Sequence, residues 1–67
     1  MNKYLVSYKD VKTGKLYFFP ALGEENVGMK SFIVWKDLAL DDFKYRFPDR
    51  EIAWEDLIIT GYKKEDI

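Results

Sequence analysis

The sequence contains neither cysteine nor histidine, and these two absences exclude much of the chemistry that small proteins use. Without cysteine the chain can form no disulfide, no thiolate nucleophile and no zinc–thiolate site. Without histidine it lacks the usual general base near neutral pH and the commonest ligand of transition metals. Triads of the Ser-His-Asp or Cys-His kind are impossible. We therefore expect no metal, no other cofactor and no enzymatic activity.

Long apolar runs are also missing from the sequence. No segment approaches the roughly 20 apolar residues that a membrane-spanning helix needs. The N-terminal residues lack the apolar core of a secretory signal peptide. These features favour a cytoplasmic protein that makes no contact with a membrane.

What the chain does contain is an unusual number of aromatic residues for its size. It has 67 residues and a mass of 8.0 kDa, and residues 1–67 are expected to form a single small domain. A chain of this size buries about 60% of its surface, and its core rarely contributes more than about 3–5 kcal/mol. Its twelve aromatic residues compete with twenty aliphatic, Met and Ala residues for one small interior, which can hold most of them but not all. We expect some of this surface to remain available for a partner.

The N-terminal third has the pattern of a β-hairpin. Residues 3–9 alternate in polarity and place Tyr4, Val6 and Tyr8 on one face of a strand. A second strand is predicted over residues 16–19, which are also rich in β-forming side chains. The spacing of the two segments leaves a connecting loop of about five residues.

Two residue types mark the limits of these strands. Gly14 can adopt the positive φ that a tight turn requires, and Pro20 is expected to end the second strand. Residues 21–30 contain two glycines, two glutamates and an asparagine, and they are predicted to form a loop of about ten residues.

The second half of the sequence is ambiguous between strand and helix. The favoured interpretation is mainly β: the hairpin plus two or three further strands in a compact sheet or a partial barrel. Residues 43–47 alternate aromatic and basic side chains with a period of two, as in a strand. The further strands are predicted at residues 31–36 and 43–47, with a turn at residues 48–50, and residues 51–54 and 57–60 form one bent strand or two separate ones.

The alternative is an α+β fold with a helix in the second half. Asp49 would cap this helix and Gly61 would lie at its C-terminal end. Its apolar positions recur at helical spacing and are Ala53, Trp54, Leu57 and Ile58.

Residues 33–44 and 52–63 resemble each other. Ile, Trp, Asp, Leu and Lys recur at matching positions in the two segments. Two copies are too few for a solenoid, which needs at least three to bury its faces. A reused local structure and a chance similarity both remain open.

Exclusion of catalysis and the surplus of aromatic surface together favour a non-catalytic protein-binding module. Such a chain would be a small accessory or inhibitory protein that binds another protein through an aromatic surface or a sheet edge. A homodimer or a structural homo-oligomer is a further possibility. The candidate contact residues are Tyr17, Phe19, Glu24, Glu25, Asn26, Tyr45, Trp54 and Tyr62.

The rival hypothesis is a small nucleic-acid-binding β-barrel. Residues 1–20 carry four lysines against one aspartate, whereas residues 21–67 carry seven basic residues against eleven acidic ones. The net charge of −1 disfavours this hypothesis, because phosphate binding usually brings a clear positive excess. The residues that would contact nucleic acid are Lys9, Lys12, Lys15, Lys44 and Arg46.

Overall fold

Three antiparallel strands and one long helix make up the protein in a computed structural model that describes residues 2–65. The elements are β1 (Asn2–Asp10), β2 (Leu16–Gly23), α1 (Met29–Arg46), a short 3-10 helix (Trp54–Asp56) and β3 (Leu57–Lys64). The strands have the order β2-β1-β3, so β1 is central and pairs with both neighbours. The helix packs against one face of this sheet.

The predicted hairpin is confirmed, including its turn. β1 and β2 are joined by residues 11–15, and Tyr8 lies opposite Tyr17 in the ladder. Gly14 has a φ of 75°, and its N–H donates to the carbonyl of Asp10 over 2.7 Å. The Asp10 carboxylate accepts a hydrogen bond from the N–H of Lys12 over 3.0 Å, which fixes the first half of the turn.

Pro20 does not end the second strand, and this prediction was wrong. The N–H of Asp10 donates to the carbonyl of Lys15, so odd-numbered residues of β2 direct their backbone groups toward β1. The nitrogen of Pro20 consequently points away from β1 and needs no hydrogen. A proline is tolerated at such a position of an edge strand, and β2 continues to Gly23.

The largest error concerns α1, which occupies a region predicted as loop and strand. The structure has a helix where strands were predicted at residues 31–36 and 43–47, and the predicted ten-residue loop shrinks to residues 24–28. The buried residues Trp35, Ala39 and Phe43 recur every four positions, which is helical spacing. The period of two at residues 43–47 is therefore coincidental.

The α+β alternative describes the structure better than the mainly β interpretation, although its helix was misplaced. Residues 49–61 form a loop, the short 3-10 helix and most of β3, so the helix predicted from Asp49 to Gly61 is wrong. The strand predicted over residues 57–60 is confirmed. The sheet does not close into a partial barrel, because β2 and β3 are its two edges. Residues 33–44 and 52–63 fold differently and form no structural repeat.

The core lies between α1 and the sheet face that the helix covers, which we call the helix face. Rings dominate it: Trp35 packs against Tyr4 with ring centroids 5.4 Å apart and against Tyr62 at 5.3 Å. These contacts supply apolar burial and favourable tilted ring geometry together. The buried apolar residues are Tyr4, Val6, Tyr8, Phe19, Ala21, Trp35, Ala39, Phe43 and Leu57.

Gly23 gives a direct test of this ring packing. A Cβ at this position would lie 3.1 Å from Cζ2 of Trp35 and 3.2 Å from Cε2 of Tyr4. We expect Gly23→Ala to lower the free energy of unfolding by about 1–3 kcal/mol, because both rings must shift. Gly28→Ser is the matched control, since a Cβ there meets nothing within 4 Å and Ser suits a helix N-cap. Urea unfolding measures both, and equal stabilities for the two variants would contradict this packing.

Candidate functional site

The residues predicted to contact a partner do not share one surface. Phe19 is buried in the core, and Tyr17 is half-buried between Tyr8 and Phe47. Tyr45 projects from α1 with 88% of its surface exposed. The remaining positions are separate from these: Glu24, Glu25 and Asn26 in the β2–α1 loop, Trp54 beside Lys36, and Tyr62 against Tyr4 and Trp35.

The surface that stands out is the sheet face that α1 leaves uncovered, which we call the open face. Strand side chains alternate between the two faces, and cross-strand partners share a face. Because Tyr4, Val6 and Tyr8 point to the helix, the intervening residues of β1 and their partners point away from it. The open face consists of Lys3, Leu5, Ser7, Lys9, Leu16, Phe18, Pro20, Leu22, Ile58, Thr60 and Lys63.

Six of the eleven residues of the open face are apolar, namely Pro20 and five larger side chains. Leu5, Leu16, Phe18, Leu22 and Ile58 have between 37% and 60% of their surfaces exposed. When one face of a sheet is in contact with water, apolar and polar residues usually alternate along each strand. Apolar residues on both faces are typical of a sheet that is covered on both sides. Within residues 2–65, this chain covers one side only.

The edge of β2 is closed to pairing with another strand. The carbonyl of Phe18 points outward and accepts a hydrogen bond from Nη2 of Arg46 over 2.6 Å. The outward carbonyl of Leu22 accepts a hydrogen bond from Nε1 of Trp35 over 3.2 Å. Between them, Pro20 offers no donor. Capped carbonyls and a proline are means by which proteins prevent edge-to-edge association.

The edge of β3 is disrupted in a different way. Ser7 pairs with Gly61 and Tyr8 pairs with Ile59, so Thr60 is an extra residue that bulges from the ladder. Lys63 follows this bulge near the end of the strand. Bulges and lysines are also typical of protected edges. The sheet-edge mode of binding therefore has less structural support than binding through the open face.

Arg46 belongs to a small network that ties α1 to the sheet. Its Nε donates to Oδ2 of Asp42 over 2.6 Å, and the hydroxyl of Tyr8 donates to the same oxygen over 2.6 Å. Burial of Tyr8 raises the pKa of its phenol above the ordinary value of 10, and the hydrogen bond to Asp42 raises it further. The phenol thus stays protonated and continues to donate to the carboxylate well into the alkaline range.

The basic residues of the nucleic-acid hypothesis are dispersed. Lys9 lies on the open face, while Lys12 and Lys15 belong to the hairpin turn and its end, with Lys12 3.4 Å from Asp56. Lys44 and Arg46 are on α1, which covers the opposite face of the sheet, and Arg46 is engaged by Asp42 and Phe18. The structure does not bring these five side chains into one basic groove.

A separate cleft of about 420 Å³ lies between the C-terminal half of α1 and residues 48–52. Its lining includes two carboxylates, Asp41 and Glu51, and two cations, Lys44 and Arg50. Arg50 is also held 3.3 Å from the buried carboxylate of Asp10 and lies over the ring of Phe47. This arrangement explains how the post-helix segment is anchored to the hairpin.

Comparison with known proteins adds no assignment. No protein-family model, curated protein or solved structure matches this chain. Across residues 2–65, no three carboxylates converge as a metal site would require. Within the same range, α1 is not apolar enough to cross a bilayer.

Sequence reasoning missed the open face, although the signal for it was present. Residues 16–19 are apolar at every position, which indicates a strand buried on both faces. Two of them, Tyr17 and Phe19, face the helix, and the other two belong to the open face.

The raised pKa of Tyr8 predicts a specific loss of stability at alkaline pH. The folded state retains a proton that the unfolded chain releases above pH 10, so the stabilisation is complete below pH 10 and declines as the pH rises further. The slope for one proton is about 1.4 kcal/mol per pH unit. Tyr8→Phe should decline less steeply than the wild type between pH 10 and 11.5 in urea unfolding. Tyr45→Phe is the exposed control, and parallel curves for Tyr8→Phe and the wild type would contradict this account.

Proposed function

We propose that this chain is a non-catalytic protein-binding module whose contact surface is the open face of its sheet. The single observation that carries the proposal is the apolar character of this face, which the chain's own helix leaves exposed. The role of a small accessory or inhibitory protein suits such a module, because the domain offers one surface and little else.

The physical argument begins with the cost of leaving this face in water. Burying apolar surface stabilises a protein by about 25 cal/mol per Å², so five half-exposed apolar side chains represent several kcal/mol of unused stabilisation. Single exposed leucines are ordinary, but a contiguous apolar patch on one face is typical of an interaction site. Since β2 and β1 pair directly, Leu22, Pro20 and Leu5 belong to neighbouring positions of the same patch.

The composition of the patch favours a protein over a nucleic acid. Sheets that bind single-stranded nucleic acid stack bases on several aromatic side chains, each of which contributes about 1–3 kcal/mol. The open face has one aromatic residue, Phe18, among aliphatic neighbours. Leucine and isoleucine side chains offer no stacking platform and instead suit the apolar core of a protein interface.

The charges on the open face disfavour a second copy of the chain as the partner. Lys3, Lys9 and Lys63 all lie on this face, and a two-fold interface would bring two such sets together. Like charges across an interface oppose association. A different protein is the partner that this surface fits better.

Photo-crosslinking from the open face tests the proposal. Benzoylphenylalanine in place of Phe18 should give covalent adducts with another protein in a host-cell lysate, because this ring lies within the proposed contact. The same substitution at Tyr45, which is 88% exposed on α1, is the control for non-specific reaction. Adding Leu22→Glu should abolish the Phe18 adducts, with folding of each variant checked by circular dichroism.

Three outcomes of this experiment would contradict the proposal. Adducts of equal yield from Phe18 and Tyr45 would mean that the open face is not special. Adducts only at twice the mass of the chain would identify a homo-oligomer, and adducts removed by nuclease would identify nucleic acid.

A further inference from the structure

We infer that the occupant of the open face is an amphipathic α-helix of the partner protein, about five turns long, whose apolar stripe is flanked by carboxylates. This inference rests on the proposed function, because it names the chemistry of the partner that the open face would bind.

The first argument is geometric. The three strands are about 4.8 Å apart, so the sheet is about as wide as one helix, which has a diameter of about 10 Å. The helix face shows how such a surface is covered: α1, with 18 residues and a length of about 27 Å, spans strands of eight or nine residues. A second helix of similar length would cover the open face and complete a three-layer arrangement.

The second argument is that the sheet edges are poorly suited to an added strand. Arg46 and Trp35 cap the outward carbonyls of β2, Pro20 removes a donor, and the bulge at Thr60 interrupts β3. A partner that binds as an extended segment depends on free backbone groups at an edge. A helix needs none, since its own backbone groups are already paired, and it binds through side chains alone.

The third argument concerns charge. Lys9 and Lys63 are exposed on the open face, where Lys9 lies opposite Ile58 and Lys63 lies opposite Leu5. Lys3 lies 3.7 Å from Glu65 and is thereby partly neutralised. The acidic residues Asp37, Asp41 and Asp42, by contrast, are on α1, on the other side of the sheet. A helix with glutamates or aspartates beside its apolar stripe would match Lys9 and Lys63, which form no ion pair within residues 2–65.

The open face also continues around the edge of β2. A groove of about 440 Å³ lies between this strand and α1, and its lining includes Pro20 and Leu22 from β2 and Val34 and Leu38 from α1. Because two of these residues belong to the open face, the groove extends the apolar surface beyond the sheet. It offers room for one large apolar side chain at the end of the docked helix.

Synthetic helices test this inference. Four 18-residue peptides share one leucine stripe, and three of them carry Glu, Gln or Lys at every flanking position. The fourth is the Glu peptide with a central proline, which breaks the helix. Fluorescence anisotropy with the labelled peptides should show tightest binding of the Glu peptide to the wild-type chain, weaker binding of the Gln and Lys peptides, and a large loss with proline.

Charge reversal of the chain makes the test specific. Lys9→Glu and Lys63→Glu should each weaken binding of the Glu peptide by roughly two- to fivefold, which is the range for an exposed ion pair. The double variant should prefer the Lys peptide. Lys30→Glu and Lys44→Glu, which lie on α1, are the matched controls and should leave both affinities unchanged.

The inference is overturned if the Glu peptide does not bind the wild-type chain, if the Lys peptide binds equally well, or if the proline peptide binds as tightly as its parent. Any of these results leaves the proposed function intact if photo-crosslinking from position 18 still gives partner adducts and Leu22→Glu still abolishes them. Loss of those adducts removes the proposed function itself, so the two failures are distinguishable.

Discussion

The packing of a single helix across a three-stranded sheet is the constraint on which the rest of the structure depends. A sheet has two faces, and this chain supplies one helix. Trp35, Ala39 and Phe43 fill the space above the helix face and bury the central strand there completely. Nothing within residues 2–65 covers the other face, on which apolar side chains lie beside three lysines. The asymmetry follows directly from the element order, ββαβ.

The same helix also limits which parts of the sheet are accessible to a binding partner. Arg46 and Trp35 project from α1 to outward carbonyls of β2, and Asp42 holds Arg46 in place while accepting the hydroxyl of Tyr8. One element therefore builds the core, positions the central strand and closes an edge. With that edge capped and the other interrupted by a bulge, the proposed binding uses the apolar open face.

The sequence allowed the hairpin to be predicted, because its signals are local: alternation in β1 and a glycine at a position that has a positive φ in the turn. The helix was missed because apolar residues also lie on its outer side. Ile33 and Val34 are exposed, which blurs the helical period and adds β-branched residues to the segment. The open face could not be identified without the register, since that pairing places Pro20 of β2 opposite Leu5 of β1. Such non-local pairing is what a local pattern cannot supply.

The most direct measurement compares the stabilities of two variants. The account predicts that Leu22→Thr costs less free energy of unfolding than Val6→Thr. Threonine is favourable in strands and Leu22 already has 60% of its surface exposed, whereas Val6 is fully buried and its replacement places a hydroxyl in the core at a cost of about 1–3 kcal/mol. A larger loss for Leu22→Thr would show that the open face is part of the folding core and not a surface available to a partner.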